Sequence, residues 1–209
     1  MAVTINGSGP VTGVTTLASP TTINGLTLPS DSLQPAMVLI TPTSVVGGTS
    51  SGGAISFSNT ASVSINGCFT SAYDIYRAEL AVLSTTTFNY MGLRLRSSGT
   101  DNTAANYYGQ EIYGSGTATA QYRIYGLGYW QAGLIANEDS GYYSVTFSKP
   151  FLAAPTTVSL LGGVSVPTAY AYNWSSFGRN TQSISYDGFT IIGNGVNITG
   201  IVRIYGLKN

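Results

Sequence analysis

The chain has 209 residues, of which 43% are apolar and only 8% charged, with eight basic side chains, eight acidic ones and no histidine. Zero net charge without a run of Lys or Arg argues against a nucleic-acid partner, because nothing would release counterions from a phosphate backbone. The missing His removes Ser-His-Asp and Cys-His nucleophile activation, His metal ligands and the commonest general base near neutral pH, and the single Cys68 excludes an internal disulfide and a Cys-based zinc cluster.

The residues that remain are those of a β protein. Thr (26 residues), Ser (25), Gly (26) and Tyr (15) dominate, with two Lys and three Glu in all. Thr, Tyr, Val and Ile suit a pleated, half-buried surface, while Gly, Ser and Asn make turns. No apolar run reaches the roughly 18 residues of a membrane span, and Met1 to Gly7 lacks the charged and apolar regions of a signal peptide. The chain is therefore expected to be made in a cytoplasm and to insert in no membrane. Few charges and zero net charge suit a tightly packed assembly better than a free monomer.

Residues 1–36 stand apart. Four of the eight prolines fall here and no aromatic residue does. Each Pro removes a donor and holds its predecessor extended. Two readings stay open: a leader without structure, or an extended docking arm whose apolar anchors are Ile5, Leu17, Ile23, Leu26 and Leu28. A purely flexible linker has less reason to carry aliphatics.

From residue 37 to 209 period-2 alternation takes over. Short strands are expected at Met37–Thr41, Ala54–Phe57 and Ser62–Ile65, with the Gly47–Gly53 tract as a flexible loop. Ile75–Leu83 places Tyr76, Ala78, Leu80 and Val82 on one face and Arg77 and Glu79 on the other. Met91, Leu93 and Leu95 alternate with Gly92, Arg94 and Arg96. Tyr107–Tyr113 and Ala118–Tyr125 follow. After a stretch at 128–141 that offers a sub-boundary come Tyr142–Phe147, Thr156–Leu161, Ala169–Trp174, Ser183–Tyr186, Phe189–Ile192 and Val196–Tyr205. Asn66-Gly67, Asp187-Gly188 and Asn194-Gly195 are turn dipeptides. Short strands at this spacing predict an antiparallel β-sandwich of jelly-roll type. Arg123-Ile-Tyr-Gly-Leu127 recurs as Arg203-Ile-Tyr-Gly-Leu207, either a shared way of ending a strand or the mark of two related strand sets.

Chemistry is sparse. Glycoside hydrolysis needs two facing carboxylates, and Asp74, Glu79, Glu111, Glu138 and Asp139 each read as well as a solvated loop or an ion pair. Asp101-Asn102 and Glu138-Asp139 lack the dense acidic spacing of a calcium loop. No enzyme activity, metal or cofactor is therefore expected. The aromatic clusters remain: Tyr129 and Trp130, then Tyr172 and Trp174, with Arg179 nearby. They suit either core and subunit interface, or stacking of a glycan.

Three stretches carry a resemblance. Thr199 to Lys208 resembles the closing strand of phage tail-fibre and virion-surface jelly-roll modules. Phe69 to Arg77, with Gly92–Arg96 and Gly99–Asn102, is similar to their opening strands, and Val145 to Phe151 to segments of fibre tips and lectin-like domains. The opening Ile5 to Pro10 resembles phage fibre N-termini. The resemblance implies a sandwich head, usually a homotrimer, on the surface of a bacteriophage virion, built in the host cytoplasm and joined to other capsid or tail proteins through the arm. It would serve as a capsid decoration or short fibre. The alternative it implies is a tail-fibre adhesin that takes host surface glycan. The absence of a helical shaft or triple-helix repeat separates this chain from long fibres.

Overall fold

The computed structural model describes residues 21–23, 26–28, 36–86, 88–137, 141–165 and 171–207. The chain falls into two compact units, Met1–Ala36 and Met37–Asn209. In the first, β1 (Thr21–Ile23) and β2 (Leu26–Leu28) pair antiparallel, with Ile23 opposite Leu26. Ile23, Leu26 and Leu28 thus lie on strands, while Ile5 and Leu17 lie outside the described residues.

The second unit is an antiparallel β-sandwich of jelly-roll type. Its strands are β3 (Met37–Leu39), β4 (Ser44–Val46), β5 (Thr49–Ser51), β6 (Ala54–Thr60), β7 (Ser62–Asn66), β8 (Ile75–Ser84), β9 (Asn89–Ser97), β10 (Thr100–Asp101) and β11 (Tyr107–Ser115). Then come β12 (Ala118–Leu127), β13 (Trp130–Ile135), β14 (Gly141–Ser148), β15 (Thr156–Ser165), β16 (Ala171–Asn180), β17 (Gly188–Ile192) and β18 (Ile198–Leu207). Among the described residues they form a ten-stranded sheet in the order β12-β11-β16-β15-β14-β8-β18-β6-β5, with β3 on β18, and a six-stranded sheet in the order β10-β9-β17-β7-β4, with β13 on β9.

The core follows from alternation. Tyr76, Ala78, Leu80 and Val82 are fully buried, as are Tyr143, Val145 and Phe147 beside them on β14. Met91, Leu93 and Leu95 of the six-stranded sheet face the same core. At its centre the Phe69 ring meets Tyr76 at 4.9 Å, Phe147 at 5.1 Å and Phe189 at 5.8 Å. Each such side chain contributes about 1.5–3 kcal/mol through the water it leaves, so a one-residue register slip would turn this whole set outward.

Four differences from the sequence expectations have identifiable physical causes. The Gly47–Gly53 tract is not one loop, for β5 lies within it between Gly47 at φ +83° and Gly52 at +55°. Residues 181–187 form no strand, because Tyr186 turns inward to donate to Asn180 Oδ1 at 3.1 Å. β13 arises inside the 128–141 stretch, where no strand was expected, and it is buried almost throughout. The face of β9 opposite the core is covered rather than solvated. Its Arg96, 8% exposed, bonds Asp101, Asn66 (2.9 Å), Ser64 (3.0 Å) and Thr190 (2.9 Å).

The repeated Arg-Ile-Tyr-Gly-Leu pentads end β12 and β18, and Ile124 and Ile204 both point inward. Their glycines do different work. Gly126 has φ +62°, whereas a Cβ on Gly206 would strike the Tyr73 ring at 2.4 Å.

Candidate functional site

The five aromatic and arginine candidates do not converge. Trp130 and Trp174 are 2% and 1% exposed and belong to the core. Tyr107 meets Trp130 edge-on at 5.0 Å, and Tyr113 stacks on Trp174 at 4.8 Å. Tyr172 is half-buried against Phe88 at 5.3 Å. Tyr129 packs on β9, where a Cβ on Gly92 would lie 2.8 Å from its ring. Only Arg179 stands exposed on the outer side of β16. The glycan expectation on the two indoles is thereby corrected. Large apolar rings gain most from leaving water, and strand parity carries residues 172 and 174 inward while 175, 177 and 179 go out.

Parity builds something else on that outer side. Rows of paired residues cross the ten-stranded sheet, and one row reads Arg123, Gln110, Phe177, Ser159, Thr146, Arg77 from β12 to β8. The next row carries Ile112, Ser175, Leu161, Ser144 and Glu79. A groove of about 620 Å³ lies over these rows from β11 to β8. Its middle is low because Ser and Thr are short. Phe177, Leu161 and Ile112 rise beside it, 62%, 67% and 52% exposed, an unusual cluster of apolar side chains left in water.

Glu79 lies at the β8 end and is fully engaged. It pairs with Arg77, accepts from Ser144 Oγ at 3.0 Å, and accepts from the Tyr142 hydroxyl. That last bond raises the Tyr142 pKa, since the phenol would lose a proton beside a carboxylate. Glu111 faces the opposite way. It is 1% exposed, neither oxygen has a hydrogen-bond partner, and burial pushes its pKa up to about 8. Asp101 is held by Arg96, by Arg94 at 3.9 Å and by the Thr190 hydroxyl at 2.6 Å. Burial also pushes the Cys68 thiol far up, which makes it a poor nucleophile.

Among the described residues no group of three or more His, Cys, Asp and Glu is placed to hold a metal ion, and no helix is long and apolar enough to cross a membrane. Glu138 and Asp139 lie outside the described residues. Reading period 2 through residue 180, beyond Trp174, would have exposed the Phe177 and Arg179 face in the sequence.

No protein-family model and no curated protein matches the chain. Among solved structures it is similar to the SPRY domain of human HERC1, with a TM-score of 0.38 and 8% identity over 81% of this chain and 99% of that one. It is also similar to the galectin LEC-6 of Caenorhabditis elegans, with a TM-score of 0.31 and 15% identity over 78% of this chain and all of that one.

Proposed function

We propose that this chain is a non-enzymatic surface module of a bacteriophage particle, a capsid decoration or short fibre, and that it works by binding through the outer face of its ten-stranded sheet. The observation that carries the binding reading is that face itself: an open groove with no carboxylate among its described lining residues, beside an outward Glu79 that is already held by three neighbours. Acid–base hydrolysis needs a second carboxylate across the cleft, and Glu111 points through the sheet to the other side. The phage setting rests on the sequence resemblance together with an N-terminal unit, Met1–Ala36, that holds four of the chain's eight prolines. In this reading residues 1–36 dock onto other virion proteins, and the sandwich associates as a homotrimer.

The test is the solution mass of the full chain beside that of residues 37–209. A trimer in both supports assembly through the sandwich with the arm left for docking. A monomer in both overturns the assembled-module reading.

A further inference from the structure

The net charge of zero conceals a polarised molecule. Of six arginines in the chain, four, Arg77, Arg123, Arg179 and Arg203, point outward from the ten-stranded sheet. Among the described residues, the strands of that sheet offer them a single outward carboxylate, Glu79, which pairs with Arg77. The face that carries the groove is therefore cationic in a chain that is neutral overall.

We propose that this face binds an acidic polysaccharide, a glycan bearing carboxylate or sulfate groups, laid across the strands. The inference rests on the binding reading above and names the ligand of the same surface. Three observations select this chemistry. The floor is a strip of small hydroxyls: Thr146, Ser159 and Ser175, able to donate to and accept from sugar hydroxyls, and Ser144, whose proton goes to Glu79 and whose oxygen can accept. The Phe177 ring rises beside that floor, 62% exposed. Its electron-rich face suits the C–H side of a pyranose, by the quadrupole that governs ring contacts. Lastly, guanidinium groups stand at both ends of the row. Arg123 and Arg77 are five strands apart, about 24 Å at the usual interstrand spacing. Arg123 and Arg179, two strands and two residues apart, are separated by about 12 Å on the same grounds.

That spacing also argues for a sugar over a nucleic acid. A duplex presents a phosphate roughly every 3.4 Å along each strand, far denser than these arginines. A polysaccharide with one acid group per repeat presents charge as sparsely as the face does. Arg123 keeps its guanidinium 4.5 Å from the Tyr125 ring centre, so the cation is positioned before any ligand arrives.

The experiment titrates the full-length chain with four probes: hyaluronate oligosaccharides, heparin oligosaccharides, neutral dextran oligosaccharides and oligothymidylate. Binding of hyaluronate or heparin that weakens with added sodium chloride, with dextran and oligothymidylate weaker, is the expected result. The paired substitution Arg123→Gln with Arg179→Gln lowers that affinity roughly tenfold, the scale of a lost charge-assisted hydrogen bond. Phe177→Ala also weakens it, while Val46→Ala, exposed on the six-stranded sheet, does not. Equal binding of dextran, tighter binding of oligothymidylate, or acidic-glycan binding untouched by the Arg123, Arg179 and Phe177 substitutions would each overturn the inference. The solution mass of the same samples separates the two proposals. A monomer that binds hyaluronate keeps this one and sinks the assembled module, and a trimer that binds no probe does the reverse.

Discussion

Glu111 is the residue whose chemistry fits its surroundings worst. It sits on the inner side of β11, opposite Tyr122 in register, and the Tyr90 phenol of β9 feels its charge. Both its oxygens are buried without a partner, and its pKa rises from an ordinary 4.5 to about 8 because burial disfavours the anion. Between those two values the folded chain holds a proton that the unfolded chain has released. Stability is therefore complete below about pH 4.5 and falls as pH rises towards 8. The loss is on the order of a few kcal/mol, since one pKa unit corresponds to about 1.4 kcal/mol. Glu111→Gln keeps the shape and removes the titration. Urea unfolding at pH 5 and pH 8 should show a drop in midpoint for the native chain and a much smaller one for the variant. Equal midpoints at both pH values in the native chain would mean that water or a partner group reaches the carboxyl.

At the scale of the strand, glycine decides where two backbones can approach. Gly200 lies on β18 beside the register shift against β6, and a Cβ there would sit 2.2 Å from the Ala81 carbonyl oxygen on β8. Backbone cannot swing aside as a side chain can. Gly200→Ala should therefore cost about 1–3 kcal/mol, as overpacking does, read as a lowered urea midpoint with an unchanged slope. A midpoint equal to that of the native chain would show that β18 and β8 can part without loss. Much of this level was legible in the sequence. The inward sets on β8, β9 and β14 follow from alternation alone, and the Asn194-Gly195 turn has both residues at positive φ, 49° and 98°. What escaped was decided by distant partners. Nothing local tells Trp130 to begin a strand, for β13 forms because Trp130 and Leu134 find Leu93 and Tyr90 on β9. The site escaped for a related reason. Trp130 and Trp174 attracted attention by size, and size is what buried them. The face proposed for binding is written in small residues whose alignment depends on pairing across five strands.

For the whole molecule, the end of the ten-stranded sheet governs how copies can meet. Among the described residues β12 is the terminal strand of the ten-stranded sheet and pairs only with β11. Its ten residues include one charged side chain, Arg123, and neither Lys nor Pro, the residues that usually protect an edge from further pairing. Tyr122 and Tyr125 on it are 48% and 64% exposed. An edge that is long, nearly uncharged and rich in rings invites association, and a chain with so few charges has little else to keep copies apart. In the proposed homotrimer β12 is the strand with most to gain from a neighbour. Amides of β12 that do not bond β11 should therefore exchange with deuterium quickly in dilute solution and slowly once the chain has assembled. Amides of β8, flanked by β14 and β18, should exchange slowly at either concentration. If β12 exchange stays fast in a sample whose mass is that of a trimer, the copies meet elsewhere. The edge beside Arg123 would then remain open, leaving the cationic groove accessible from that side for a polymer to enter across the strands.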